Sequence, residues 1–308
     1  MISHAVIARE YRKALGPLVL CFIFALLPSL TYPLNAVAQD QKSFLWKARS
    51  KTGTVYLLGS VHVLSKDFYP LPARIENAFK ESDALVVEAN INDVDVGETM
   101  SMLQGSFYPG DDTLEKHISK ETYDRARNRL NELGAPMELF IKNKPWFLAI
   151  TMTALELGRL GFDPAYGIDK HFLDEAAGKK KILELESAQY QIGLLNNLSD
   201  DDQELFLVYT MNEIDILKKE MKALTDAWKS GDARTMDSIL SGQLEEEPGL
   251  SRIYEKLIYE RNRKMTSKIE DYLKKGDKYF VVVGAAHLVG ERGILERLKA
   301  RGYSVEQM

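Results

Sequence analysis

Two short phrases, one near each end of the chain, carry the same chemistry. The first is Val55-Tyr56-Leu57-Leu58-Gly59-Ser60-Val61-His62. The second is Tyr279-Phe280-Val281-Val282-Val283-Gly284-Ala285-Ala286-His287. Each is an apolar run followed by Gly-x-x-His. Imidazole is the commonest neutral metal ligand and the usual general base near neutral pH. A lone His after a strand is more often a hydrogen-bonded structural residue. Here the chain has only five His, namely His4, His62, His117, His171 and His287, and two of them are delivered by one device. We read His62 and His287 as parts of a single site.

Two carboxylates end apolar runs in the same way. Glu88 closes Leu85-Val86-Val87-Glu88, and Glu186 closes Ile182-Leu183-Glu184-Leu185-Glu186. Two His with one or two carboxylates suit zinc, manganese, cobalt or iron, and an open metal position makes hydroxide from water. The expected metal ligands are therefore His62, His287, Glu88 and Glu186. Asp169 and His171 open a helix in Gly167-Ile168-Asp169-Lys170-His171. Asp169 reads as its N-cap, and His171 faces either the site or solvent. Arg261, in a charged helix, reads as a solvated residue or as a clamp on a substrate carboxylate or oxyanion. His117 has no motif around it and reads as surface. Ser60 lies inside the first motif, but no strand-turn-helix nucleophile elbow surrounds it. Gly-rich phosphate loops and H-E-x-x-H helices are absent.

The elements that must position these groups follow from periodicity. Phe44–Arg49 and Thr54–Leu58 alternate as a hairpin around Lys51-Thr52-Gly53. Leu71–Ser82 predicts a helix, and residues 84–88 a buried strand parallel to the one before it. Helices are expected over 120–133, 146–160, 169–177, 200–230, 253–275 and 292–301, with strands at 181–185, 279–283 and 303–306. The acidic Glu245-Glu246-Glu247-Pro248 reads as a solvated loop. The expected fold is α/β: a central mixed sheet formed from N- and C-terminal strands, with a large helical middle section, about 95–275, packed around it.

Residues 1–38 look like a secretory signal peptide. Arg9, Arg12 and Lys13 precede an apolar stretch, and Ala36-Val37-Ala38 is a small-x-small cleavage site. The 308-residue chain carries a net charge of −5, and removing Arg9, Arg12, Lys13 and Glu10 makes it two units more negative. That argues against a sequence-independent nucleic-acid binder. The single Cys, Cys21, lies in the removed segment. The rest, 39–308, cannot use disulfides or Cys-based metal sites. A periplasmic or secreted location follows, with no membrane contact after cleavage.

The chain resembles the TraB/GumN family, which includes PrgY-like and Tiki-like proteins. The match is carried by Leu45-Trp46-Lys47, both Gly-x-x-His motifs, Val87-Glu88, Tyr166-Gly167-Ile168-Asp169, Leu185-Glu186, Glu260-Arg261-Asn262 with Met265, and Leu288-Val289-Gly290. The resemblance implies an α/β core related to erythromycin-esterase and ChaN-like proteins. It implies a site made from His62, Glu88, Arg261 and His287. Tiki-like members are similar to metal-dependent peptidases using manganese or cobalt, and TraB and PrgY-like members are associated with shutting down peptide pheromones. The expectation is an exported hydrolase using a divalent metal (manganese, cobalt or zinc) on a peptide or small-molecule substrate. In it Glu88 is a ligand or the general base, and Arg261 stabilises developing negative charge. Two alternatives stand beside it: a metal-independent esterase-like hydrolase, and a haem- or iron-binding protein.

Overall fold

A computed structural model of the chain describes residues 42–308, with the backbone alone at 243–246. The proposed signal peptide, 1–38, lies outside the described residues. Six strands form one mixed sheet in the order β4-β3-β5-β2-β1-β6. They are β1 (Leu45–Arg49), β2 (Thr54–Ser60), β3 (Ala84–Val87), β4 (Lys181–Glu184), β5 (Lys278–Gly284) and β6 (Ser304–Gln307). The predicted hairpin forms, with β1 antiparallel to β2. β2, β5, β3 and β4 are mutually parallel neighbours.

The parallel pairing of β2 with β3 needs correction. The two run parallel but do not touch, because β5 lies between them and pairs with both. The reason is burial. From Tyr279 to Gly284 every residue of β5 is buried, so it needs cover on both faces and a strand on each side. A strand from the far end of the chain thus takes the centre and closes the sheet.

Helices cover this sheet and build a second body beside it. The Ala73–Glu81 helix buries Ile75, Ala78 and Phe79 at helical spacing, as the sequence predicts. The apolar Pro145–Arg159 helix starts with Pro at its first turn and is buried along most of its length. It anchors a helical core of its own, with Trp146, Leu148 and Met152 against Leu207, Leu250 and Leu257. The sheet has a separate core. No helix among the described residues is long and apolar enough to cross a membrane.

Several helices differ from expectation. The segment 200–230 is two helices, Asp200–Glu213 and Leu217–Ser230. The acidic run at 245–248 is not wholly loop, since the Ala233–Glu246 helix extends into it. The helices Val96–Gly105 and Ala188–Asn196 were not foreseen. The predicted 253–275 helix contains a π-helical turn, Glu255–Tyr259, between Leu250–Tyr254 and Glu260–Lys274.

Candidate functional site

Pairing of β2 with β5 puts Ser60 opposite Gly284. The two Gly-x-x-His turns therefore leave the sheet side by side from the same edge. β3 ends next to them, one residue before Glu88. This is the edge where open α/β sheets place ligands. Gly284 stands at the focus. A Cβ built on it would lie 3.3 Å from Glu88 Oε1, 3.4 Å from His62 Nε2 and 3.5 Å from His287 Cδ2. The missing side chain leaves a cradle ringed by three of the predicted residues.

Each imidazole is oriented by one outside partner. His62 Nδ1 lies 2.5 Å from Asp169 Oδ2. Asp169 is not the N-cap; Gly167 is, and Asp169 sits buried in the first helical turn. Gly167 makes this possible by close approach. A Cβ there would stand 2.2 Å from the His62 carbonyl oxygen. The Ile168 N–H donates to the Val61 carbonyl at 3.1 Å, pinning the helix start to the first motif. His287 lies in the short Ala285–Leu288 helix and places Nδ1 2.7 Å from Asn262 Oδ1.

The partners give the two rings opposite charge states. Burial opposes charge on His62, but the Asp169 carboxylate outweighs it and raises the pKa to about 9. His287 is buried and its partner is a neutral amide. Burial pushes its pKa down to about 3, against the pull of Glu88. His287 Nε2 stands 3.7 Å from Glu88 Oε1.

Glu88 is buried, yet its pKa falls to about 2. Desolvation opposes this, and His287, Arg261 and His62 overcome it together with the Gly284 N–H. Glu88 Oε1 accepts from Gly284 N–H at 2.5 Å. Oε2 accepts from Arg261 Nη2 at 2.5 Å and from Gln191 Nε2 at 3.2 Å. Arg261 is 2% exposed, so its reading as a solvated residue does not hold. Its Nε donates to Glu186 Oε2 at 2.8 Å and its Nη1 to the Leu257 carbonyl at 3.0 Å. That carbonyl belongs to the π-turn, a distortion frequent at functional sites. Burial raises the Glu186 pKa, against the pull of Arg261. Glu186 thus meets Glu88 through Arg261 and Gln191, rather than at the cradle itself.

The donor set suits a divalent metal in type. Two imidazoles and a carboxylate are ligands for zinc, manganese or cobalt. Each ring has Nδ1 engaged by an outer partner, as metal-binding His residues do. In spacing the set is not closed: among the described residues, no group of three or more His, Cys, Asp or Glu stands ready to hold a metal ion.

The other His residues lie elsewhere. His171 Nε2 pairs with Glu76 Oε1 at 3.0 Å, on the Ala73–Glu81 helix. His117 is not simply surface; it bonds two carboxylates, Asp112 at 2.7 Å and Asp200 at 2.9 Å. Asn262 and Gln191 are site residues that the sequence reading assigned no role. Asn262 carried a signal, an Asn inside a helix, where its side chain competes with the backbone. Gln191 carried none.

Comparison with known proteins agrees with the resemblance. The TraB/PrgY/gumN family profile matches residues 44–307. Escherichia coli (strain K12) has a relative, "Uncharacterized protein YbaP", 29% identical over 245 residues, covering 79% of this chain and 87% of the relative. "Metalloprotease TIKI homolog" of Amphimedon queenslandica is 25% identical across 94% of this chain and 66% of its own length. "Metalloprotease TIKI1" of Danio rerio is 20% identical, with 88% and 64% covered. No solved structure matches.

Proposed function

We propose that this chain, which belongs to the TraB/PrgY/gumN family, is an exported metal-dependent hydrolase acting on peptides, with the Gly284 cradle as its active site. The observation that carries the reading is the ring of His62, His287 and Glu88 around one Cβ-sized space. Relatives named metalloproteases support it. His62 and His287 would hold the ion, with Glu88 as third ligand or as the base for the attacking water. A divalent ion held by these residues would lower the pKa of water and act as a Lewis acid toward a carbonyl.

The chain's own residues prepare this. Asp169 and Asn262 fix the two rings so that Nε2 of His62 faces the cradle and Nε2 of His287 faces Glu88. Arg261, Gln191 and the Gly284 N–H hold Glu88 in its charged form at the pH of the reaction. His62 must surrender its extra proton to become a ligand, so ion uptake releases a proton. Glu186 steadies Arg261 from the far side.

Elemental analysis tests the reading. After incubation with manganese, cobalt or zinc and removal of free ion, the wild type should retain about one equivalent, and the His62→Ala, His287→Ala double variant none. Equal, negligible metal in both proteins would reject it. One observation favours a second reading, a metal-independent hydrolase. Glu88 already accepts three hydrogen bonds, which leaves it less free to take an ion. Cleavage unchanged after exhaustive chelation would select this version.

A further inference from the structure

The end of β2 carries a buried hydroxyl without a partner among the described residues. Ser60 is 3% exposed, and its Oγ has no hydrogen-bond partner among the described residues. A buried hydroxyl left unpaired costs free energy, so such groups call for an explanation. Register supplies one. Ser60 is the last residue of β2 and pairs directly with Gly284 of β5. Paired residues on neighbouring parallel strands project to the same face, because the pleats align. The Ser60 side chain therefore leaves the sheet on the side of the Gly284 cradle. It starts one strand spacing away, about 4.8 Å.

Other donors at the cradle are engaged in part. His62 Nε2 faces it but is a ligand in the hydrolase reading. Arg261 has Nε, Nη1 and Nη2 each on an acceptor, namely Glu186, Leu257 and Glu88. The Gly284 N–H already serves Glu88. Ser60 is also no nucleophile, since no base lies within hydrogen-bond reach of its Oγ.

We infer that Ser60 Oγ–H is the donor that receives the carbonyl oxygen of the scissile amide and holds it as negative charge develops, the role the sequence suggests for Arg261. The inference rests on the hydrolase reading above. It makes Ser60 a catalytic residue that touches substrate, and it accounts for the unpaired state of the hydroxyl.

Ser60→Ala removes the hydroxyl and little else. Its melting temperature should equal or exceed that of the wild type, because no protein hydrogen bond is lost; a drop of more than about 4 °C would overturn the inference. Crystals of both proteins are then soaked in N-methylacetamide, a minimal peptide bond. In the wild type the amide oxygen should lie within hydrogen-bond distance of Ser60 Oγ, and in the variant that position should be lost. An amide oxygen bound elsewhere in the wild type, or a crevice without amide, would overturn it. Cleavage of a mixed peptide library, followed by mass spectrometry with metal supplied, should be about 100- to 1,000-fold slower in the variant. Equal cleavage rates reject Ser60 and leave the hydrolase reading standing. Failure of the wild type to cleave rejects the hydrolase reading and with it the catalytic role of Ser60, and the amide position then decides only whether Ser60 binds an amide oxygen.

Discussion

The two Gly-x-x-His motifs are near copies in sequence and opposites in environment. His62 is partly exposed, with a carboxylate on Nδ1. His287 is buried, with an amide on Nδ1. One ring is held charged, with a pKa near 9, and the other neutral, near 3. The shared strand and turn deliver position; the partner's charge and the depth of burial set protonation. A repeated motif therefore identifies where a site is, while its chemistry is decided by residues outside the motif.

The largest expected effect comes from the group that keeps Glu88 ionised between the two rings. Arg261→Met leaves Glu88 and Glu186 buried beside each other without their shared cation. Breaking a buried ion pair from one side costs about 3–5 kcal/mol. Urea denaturation should show a loss of that size. A loss below about 1 kcal/mol would mean that Arg261 is dispensable to the carboxylates, and the contrast between the rings would need another source.

A smaller effect, spread over pH, sharpens the comparison itself. His62 is raised from 6.5 to about 9, so its charged form stabilises the fold. That contribution is complete below pH 6.5 and is lost as pH rises through 9. His287 is lowered from 6.5 to about 3, so its contribution is present above 6.5 and is lost as pH falls. Each limb has a slope of up to about 1.4 kcal/mol per pH unit for one proton. Below pH 4.5 Glu88, lowered to about 2, adds its own loss on the acid side. The windows to read are therefore 6.5–9 for His62, which the raised His117 shares, and 4.5–6.5 for His287, which the raised Glu186 shares, so each is read as the difference between variant and wild type. His62→Gln should flatten the first and His287→Gln the second in stability measured against pH. If both variants flattened the same limb, the two rings would not be in opposite states.

The convergence of His62, His287 and Glu88 was legible because its signals are local. A strand that is apolar on both faces, then Gly-x-x-His or Glu, is a pattern within ten residues. The mixed sheet and the helical middle were legible for the same reason. The partners that set the chemistry were not. Asp169 lies 107 positions from His62, and Gln191 103 positions from Glu88. No local pattern ties such pairs together. Asp169 matched a local rule, that Asp near a helix start caps it, yet Gly167 takes the cap and tertiary contact holds Asp169 on His62. The π-turn behind Arg261 was invisible because a one-residue slip in hydrogen bonding leaves no trace in composition. The place of β5 between β2 and β3 was hidden because an apolar strand shows that it is central without naming its neighbours.

The smallest effect uses a third imidazole to test whether carboxylate partners alone produce the His62 state. His117 lies far from the cradle, in the helical body. It stacks on Tyr108 at 4.0 Å and bridges Asp112 and Asp200. Burial disfavours its charge, but hydrogen bonds to Asp200 and Asp112 prevail, and its pKa is raised above 6.5. The side chain is 22% exposed, so solvent screens part of the attraction. Its protonated form should add under about 1 kcal/mol, complete below pH 6.5 and lost as pH rises through the raised value. His117→Gln should lower stability at pH 6 by that amount, and the gap to wild type should narrow by pH 9. The order of the three His variants at pH 6 then carries the argument. If His117→Gln costs as much as His62→Gln, two carboxylates near a half-buried ring are sufficient, and the cradle adds nothing to the state of His62. If it costs less, with the gap still closing at high pH, the neighbouring Glu88 contributes to holding His62 charged, as its place across the Gly284 cradle requires.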